Sequence, residues 1–316
     1  GWALTSGDYG GVGVGGLATA GGIGFLGRSQ GLTIDRLRAV EMVLADGSLV
    51  RASDDERPDL FWGVRGAGFM LGIVTAFEFE AGEVGDVGFA QLVHDATSDV
   101  AGFLERWGAA VESSPRDTTS FLIMGPPRDG RVVAQTMNVV ASDDSETILS
   151  RLQPLANTAP LIGQQAQILP YEALVVPPPA IHDAQGQPVS RSGLLDHITP
   201  EFAKQAAELL RSGATYFFQI RALGGASHDV PPDATAFAHR SAAFSVVALG
   251  ATHTQLDREW DALAHHFNGL YVSFETDRRP ERLTDAYPPA TLARLRELKH
   301  RYDPDHVFKD NFPLDR

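Results

Sequence analysis

Cysteine is absent from the 316 residues. Its absence excludes disulfides, a thiolate nucleophile, cysteine-ligated zinc and any cysteinyl bond to a cofactor. Basic charge is scarce as well, with 26 Lys and Arg against 40 Asp and Glu and a formal net charge of −14. Such a surface repels a phosphate backbone, and no basic run with interleaved aromatics reverses the sign locally, so nucleic acid is not an expected partner. Long apolar runs are missing too. No stretch approaches the roughly 18 consecutive apolar residues that span a bilayer, and the start lacks the order of a signal peptide. The expectation is a soluble, cytoplasmic protein without a membrane partner, with secretion left open. No metal site is expected either: His265 and His266, with Asp261 four residues before His265, lack a third ligand at defined spacing and read as a solvated helix end.

Glycine, by contrast, is concentrated in one place, GDYGGVGVGGLATAGGIGFLG from Gly7 to Gly27, almost without charge. So little side chain suits backbone that approaches something closely or takes positive φ, and the stretch reads as a binding loop or a buried turn. Gly11 to Gly16 formally matches G-x-G-x-x-G, with Asp35 beyond it, which raises a dinucleotide-binding turn and an NAD-dependent dehydrogenase. That turn requires a buried strand before Gly11, which the sequence does not suggest. It also requires a helix carrying Gly21, Gly22 and Gly24, each costing about 1 kcal/mol against alanine. A third reading has these glycines merely easing tight packing.

Along the chain, Leu37 to Leu44 and Ser48 to Ala52 read as a hairpin around Ala45-Asp46-Gly47, followed by a short helix at Asp59 to Val64 and a strand from Gly72 to Phe79. Helical patterns at Ser98–Val111, Ser145–Leu155, Pro200–Arg211 and Thr254–His265 then alternate with strands at Ser120–Met124, Arg131–Val140, Thr215–Leu223 and Ala242–Leu249. A proline-dense loop runs from Pro177 to Pro188. A strand LYVSFE starts at Leu270, and a last helix covers Pro289–Tyr302. The strands come in neighbouring groups, which favours an α+β fold with an antiparallel sheet and helices on one face. The expected organisation is 1–84, 85–266 and 267–316. Because the chain enters a loop within ten residues of Gly1, further residues upstream are expected.

The run VGVGGLATAGGIGFLGRSQGLTIDRLRAVEMVLADGSLVRAS, then DLFWGVRGAG and GIVTAFEFE, resembles the second half of the FAD-binding domain (PCMH type) in the berberine-bridge-enzyme-like FAD-linked oxidases of the vanillyl-alcohol oxidase superfamily. Ala222 to Ala226, Ala236 to Arg240, Tyr271 to Phe274 and LRELKHRYDPDHVFKDNF match its later signatures in the same order. The resemblance implies an FAD-dependent oxidoreductase in which a partial FAD-binding domain (1–84) and a substrate domain (85–266) enclose the flavin. Residues 267–316 would return to the FAD side, and an N-terminal FAD subdomain is expected upstream.

Cofactor contacts are then expected at Gly11, Val12, Gly13, Gly15, Gly16, Gly21, Gly22, Gly24, Ile73, Val74, Tyr271, Ser273 and Asn311. The implied reaction moves a hydride from a C–H bond of an alcohol or amine-type small molecule to flavin N5, with oxygen as the expected reoxidant. Candidates to hold or move the proton are Tyr271, His239, Gln219 and Arg240. Departures from the family pattern matter. Tyr9 stands where some members carry a flavin-linked cysteine, Met70 where asparagine is common, and Phe274 where many have the tyrosine that acts as base. Phenylalanine cannot move a proton. The reading from another class is a non-catalytic relative that acts as a scaffold.

Overall fold

The computed structural model describes residues 1–176, 189–309 and 312–314. It opens with β1 (Trp2–Ala3) and two short helices, α1 (Val14–Ala20) and α2 (Gly27–Gln30). β2 (Leu37–Val43) and β3 (Leu49–Ser53) form the expected hairpin, its turn tied by the Ser48 amide donating to Asp46 Oδ1 at 2.9 Å. α3 (Pro58–Ala67) starts with Pro58, where a missing N–H costs nothing, and buries Leu60, Phe61, Trp62 and Val64. β4 (Ile73–Phe79) pairs on the other side of β2, giving a three-stranded antiparallel sheet β3-β2-β4. β5 (Gly82–Glu83) returns to pair with β1.

The larger layer follows as β6 (Asp86–Asp95), α4 (Val100–Ser113), β7 (Thr118–Met124), β8 (Val133–Val140), α5 (Ser145–Ala156) and β9 (Leu161–Pro170). It continues with β10 (Val189–Leu195), α6 (Pro200–Ser212), β11 (Phe217–Ala222), β12 (Phe244–Gly250) and α7 (His253–Asp261). The seven strands lie in the order β10-β12-β11-β7-β8-β6-β9, every pair antiparallel. Side chains cap three of the helices on this sheet, α4, α5 and α6. Asp99 accepts from the Gly102 amide and Asp144 from the Thr147 amide, both at 2.8 Å, while Thr199 caps α6 ahead of Pro200. The helical face is the main core, where Phe103, Trp107, Phe202, Leu210 and Trp260 meet Leu122, Phe218, Ile220 and Val246.

Alternation along β11 sends Phe218 and Ile220 into that core and Gln219 and Arg221 to the opposite face. There Phe121 and Val139 of the sheet pack against Phe25, Leu26 and Ile34 of the N-terminal segment. The chain ends with α8 (Glu281–Ala286) and α9 (Pro289–Tyr302), packed back on residues 37–71. Lys299 locks this return. Its buried ammonium donates to Asp303 Oδ2 (2.6 Å), the Met70 carbonyl (2.8 Å) and the Phe308 carbonyl (2.7 Å), so no charge is left unpaired.

The structure corrects several sequence expectations. The glycine stretch is not all loop, since seven of its residues form α1. Residues 270–275 are not a strand: Val272–Phe274 is a single 3₁₀ turn. The pattern from Thr254 to His265 stops as α-helix at Asp261 and resumes as a 3₁₀ turn at Ala264. β6, β9 and β10 were not anticipated. The dinucleotide reading fails on its own requirements, because β1 has only two residues, is exposed at Trp2 and pairs antiparallel. Its acidic residue is also engaged elsewhere, Asp35 accepting from both terminal guanidinium nitrogens of Arg240 at 2.8 and 2.9 Å. The proline loop 177–188 and Asn311 lie outside the described residues.

Candidate functional site

A cleft of about 620 Å³ opens between the glycine segment and residues 271–276, with Arg221 reaching in from the face of the large sheet opposite its helices. One wall is nearly bare backbone at Gly7, Gly13 and Gly16, with Val12, Leu17, Ala20 and Ile23 beside it. The other wall is Tyr271 to Thr276, and Phe69 and Phe312 line it further. A Cβ added at Gly13 or Gly16 would meet nothing within 4 Å, so these two glycines leave room beside the cleft rather than easing internal packing.

Tyr271 joins the two walls. Its hydroxyl accepts the Gly22 amide hydrogen at 3.0 Å, and its own amide donates to Ser192 Oγ at 3.0 Å. Burial pushes its phenol above the ordinary tyrosine range, which keeps the hydroxyl protonated and unsuited to act as a resting base. Gly22 must be glycine for this contact, since it sits at φ 87° and a Cβ would fall 2.2 Å from Thr33 Oγ1.

Asp8 and Arg221 meet at the cleft with side chains only 12% and 8% exposed. Asp8 Oδ2 accepts from Arg221 Nε at 2.8 Å and from Gln219 Nε2 at 3.2 Å, while Oδ1 has only a 3.4 Å contact with Arg221 Nη2. The guanidinium lies 4.5 Å from the centroid of the Phe274 ring. Phe274, unable to move a proton, thus provides a face for Arg221. Behind Phe274, Glu275 is buried and accepts from the amides of Ser192 (3.1 Å) and Asp277 (2.7 Å), with Arg191 Nη1 at 3.3 Å. Burial raises its carboxyl to about 7 despite these donors.

The expected site residues divide accordingly. Val12, Gly13, Gly16, Tyr271 and Ser273 line the cleft, and Gln219 reaches it through Asp8. Gly21, Gly22 and Gly24 sit behind the wall, packed on Tyr271, Thr33 and Gly7. Gly11 lies against Tyr9, and a Cβ added at Gly15 would meet Phe77 at 3.8 Å. Ile73 and Val74 lie on β4 away from the cleft, Ile73 being 59% exposed. His239 does not line the cleft either. Its Nε2 is 3.0 Å from the Ala286 carbonyl, Gly269 presses on its ring, and burial lowers its pKa, so it stays neutral within the packing. Arg240 is consumed by Asp35.

The sequence reading overlooked Asp8 because it lies inside the glycine run with no partner in sight along the chain. Its one available signal was being the only charged residue between Gly7 and Gly27. Arg221 was legible only as sharing a strand face with Gln219.

Among the described residues there is no cluster of three or more His, Asp or Glu able to hold a metal ion, and no helix is long and apolar enough to cross a membrane.

No family model matches the chain. Among curated proteins it is 28% identical over 344 residues to (R)-6-hydroxynicotine oxidase of Paenarthrobacter nicotinovorans, covering all of this chain and 73% of that one. Among solved structures it matches Physcomitrella patens BBE-like 1 with a TM-score of 0.88 at 21% identity, covering 100% of this chain and 73% of the other. It also matches glucooligosaccharide oxidase of Acremonium strictum, a structure concerned with that enzyme's 6-S-cysteinyl, 8α-N1-histidyl FAD, with a TM-score of 0.80 at 20% identity, over 99% of this chain and 73% of that one. In sequence and in fold, the chain is a homologue of the FAD-linked oxidases of the berberine-bridge-like, vanillyl-alcohol oxidase family.

Proposed function

We propose that the chain is the larger part of an FAD-dependent oxidoreductase that oxidises a C–H bond next to a hydroxyl or amine in a small molecule. The observation that carries this reading is the cleft itself, whose volume, bare glycine wall and aromatic residues suit a planar ring system. FAD-linked relatives support the choice of ring. Val12, Gly13, Gly16, Tyr271 and Ser273 would hold the cofactor, with Phe69, Phe274 and Phe312 enclosing it. When bound, FAD supplies a two-electron acceptor at N5, and oxygen is the proposed reoxidant.

The protein's own part is positional. Backbone at Gly13 and Gly16 allows close approach, and the Tyr271 to Gly22 hydrogen bond fixes the distance between the walls. Arg221 and Asp8 set the polarity where a substrate would enter. We propose that residues 1–84 and 267–316 form the FAD side and 85–266 the substrate side, and that a further FAD subdomain, upstream or as a separate segment, completes the cofactor site. The chain spans 73% of its hydroxynicotine oxidase relative.

Absorption spectroscopy of the purified protein, alone and after FAD addition, tests the reading. Bands at about 370 and about 450 nm are expected. A preparation that includes the further FAD subdomain, is colourless and takes up no FAD favours the scaffold role instead.

A further inference from the structure

Asp8 has a share of hydrogen-bonding capacity that the protein does not use. A carboxylate offers about four lone-pair sites. Arg221 Nε and Gln219 occupy Oδ2, whereas Oδ1 has only the 3.4 Å contact with Arg221 Nη2. The other ionisable groups on the cleft are otherwise committed. Tyr271 accepts the Gly22 amide with one hydroxyl lone pair and is kept protonated by burial, and Glu275 accepts from two backbone amides beside Arg191. Arg221 is a donor only. Asp8 is thus the one ionisable acceptor among the described cleft residues with an oxygen close to free, and two donors fix its direction.

We propose that Asp8 receives the hydrogen bond of the substrate's hydroxyl or amine and, during oxidation, its proton. This rests on the oxidoreductase reading above. In the step, the C–H bonding pair leaves as hydride to oxidised flavin and the O–H or N–H proton passes to the Asp8 carboxylate. The carbon then gains its second bond to the heteroatom, giving a carbonyl or an imine. Gln219 and Arg221 act as positioning residues that hold the carboxylate. The pairing also sets substrate class. With Arg221 charge-paired to Asp8 through Nε and Nη2, and only its buried Nη1 without a partner, the site favours neutral or protonated donors over a carboxylate.

The test compares wild type with Asp8→Asn, Asp8→Glu and Arg221→Gln, each loaded with FAD and followed by flavin absorbance and by calorimetry. Asp8→Asn uncovers the Arg221 charge, so benzoate should bind at least tenfold more tightly than to wild type. Arg221→Gln should do the reverse, tightening benzylammonium tenfold and weakening benzoate. It also decides the matter should Asp8→Asn fail to fold. Anaerobic flavin bleaching by benzyl alcohol or benzylamine, whichever acts on wild type, should fall at least 100-fold in Asp8→Asn and recover in part in Asp8→Glu. Benzoate and benzylammonium affinities within twofold of wild type in both charge variants overturn the proposal, as does bleaching within threefold in Asp8→Asn. A protein that takes no flavin fails the oxidoreductase reading alone, because the calorimetric comparison still reports whether Asp8 and Arg221 face a ligand.

Discussion

The Tyr271 hydroxyl accepts the Gly22 amide hydrogen at 3.0 Å across 249 residues of chain. The bond is wholly buried and clasps the C-terminal wall of the cleft to the glycine segment. Tyr271→Phe removes the acceptor and leaves a buried N–H unpaired, an expected cost of about 1–3 kcal/mol. Chemical denaturation measures it. A variant as stable as wild type would mean that the clasp contributes nothing.

Gly22 and Gly16 should respond in opposite ways although both are glycines of one segment. Gly22→Ala forces a side chain at φ 87° into Thr33 and should destabilise the fold. Gly16→Leu projects into open space from a helical position and should leave the melting temperature near that of wild type. Thermal melts of the two variants settle the contrast.

His239 is expected to be a packing residue. His239→Gln should lower stability by about 1 kcal/mol through the altered bond to the Ala286 carbonyl, with FAD content unchanged. Loss of flavin chemistry from a folded, FAD-replete variant would return His239 to the reaction.

Glu275 gives the protein a pH dependence of known sign. Its carboxyl, near 4.5 when unfolded and raised to about 7 by burial, holds an extra proton in the folded state between those values. Its contribution to stability therefore declines as pH rises through that window, by at most about 1.4 kcal/mol per pH unit. Glu275→Gln should lack this decline, so the stability of wild type minus that of the variant should fall from pH 5 to pH 8. A difference independent of pH would show that the carboxyl is not protonated in the fold.

Much of the fold was written locally. The hairpin at Asp46-Gly47, the capped helices α4, α5 and α6, and the alternation of β11 all carry signals that neighbouring residues supply. β9 escaped because LIGQQAQILP is a glutamine-rich edge strand whose pairing to β6 comes from outside its own sequence. β10 escaped for a related reason, its Arg191 being buried only because Asp257 and Glu275 arrive from distant segments. The site divides in the same way. Glycine density pointed to the cleft, but which glycines face it depends on helix phase, since Gly16 lines the space while Gly15, one residue earlier, turns to Phe77. The Asp8 to Arg221 pair spans 213 residues and exists only once both segments have folded.

FAD is expected to lie against Gly13 and Gly16. FAD titration of wild type beside Gly16→Leu, with melting curves to establish that both are folded, tests it most directly. The expected result is FAD uptake by wild type and at least a tenfold loss of affinity in an equally stable variant. Equal FAD affinity in the two folded proteins would contradict it.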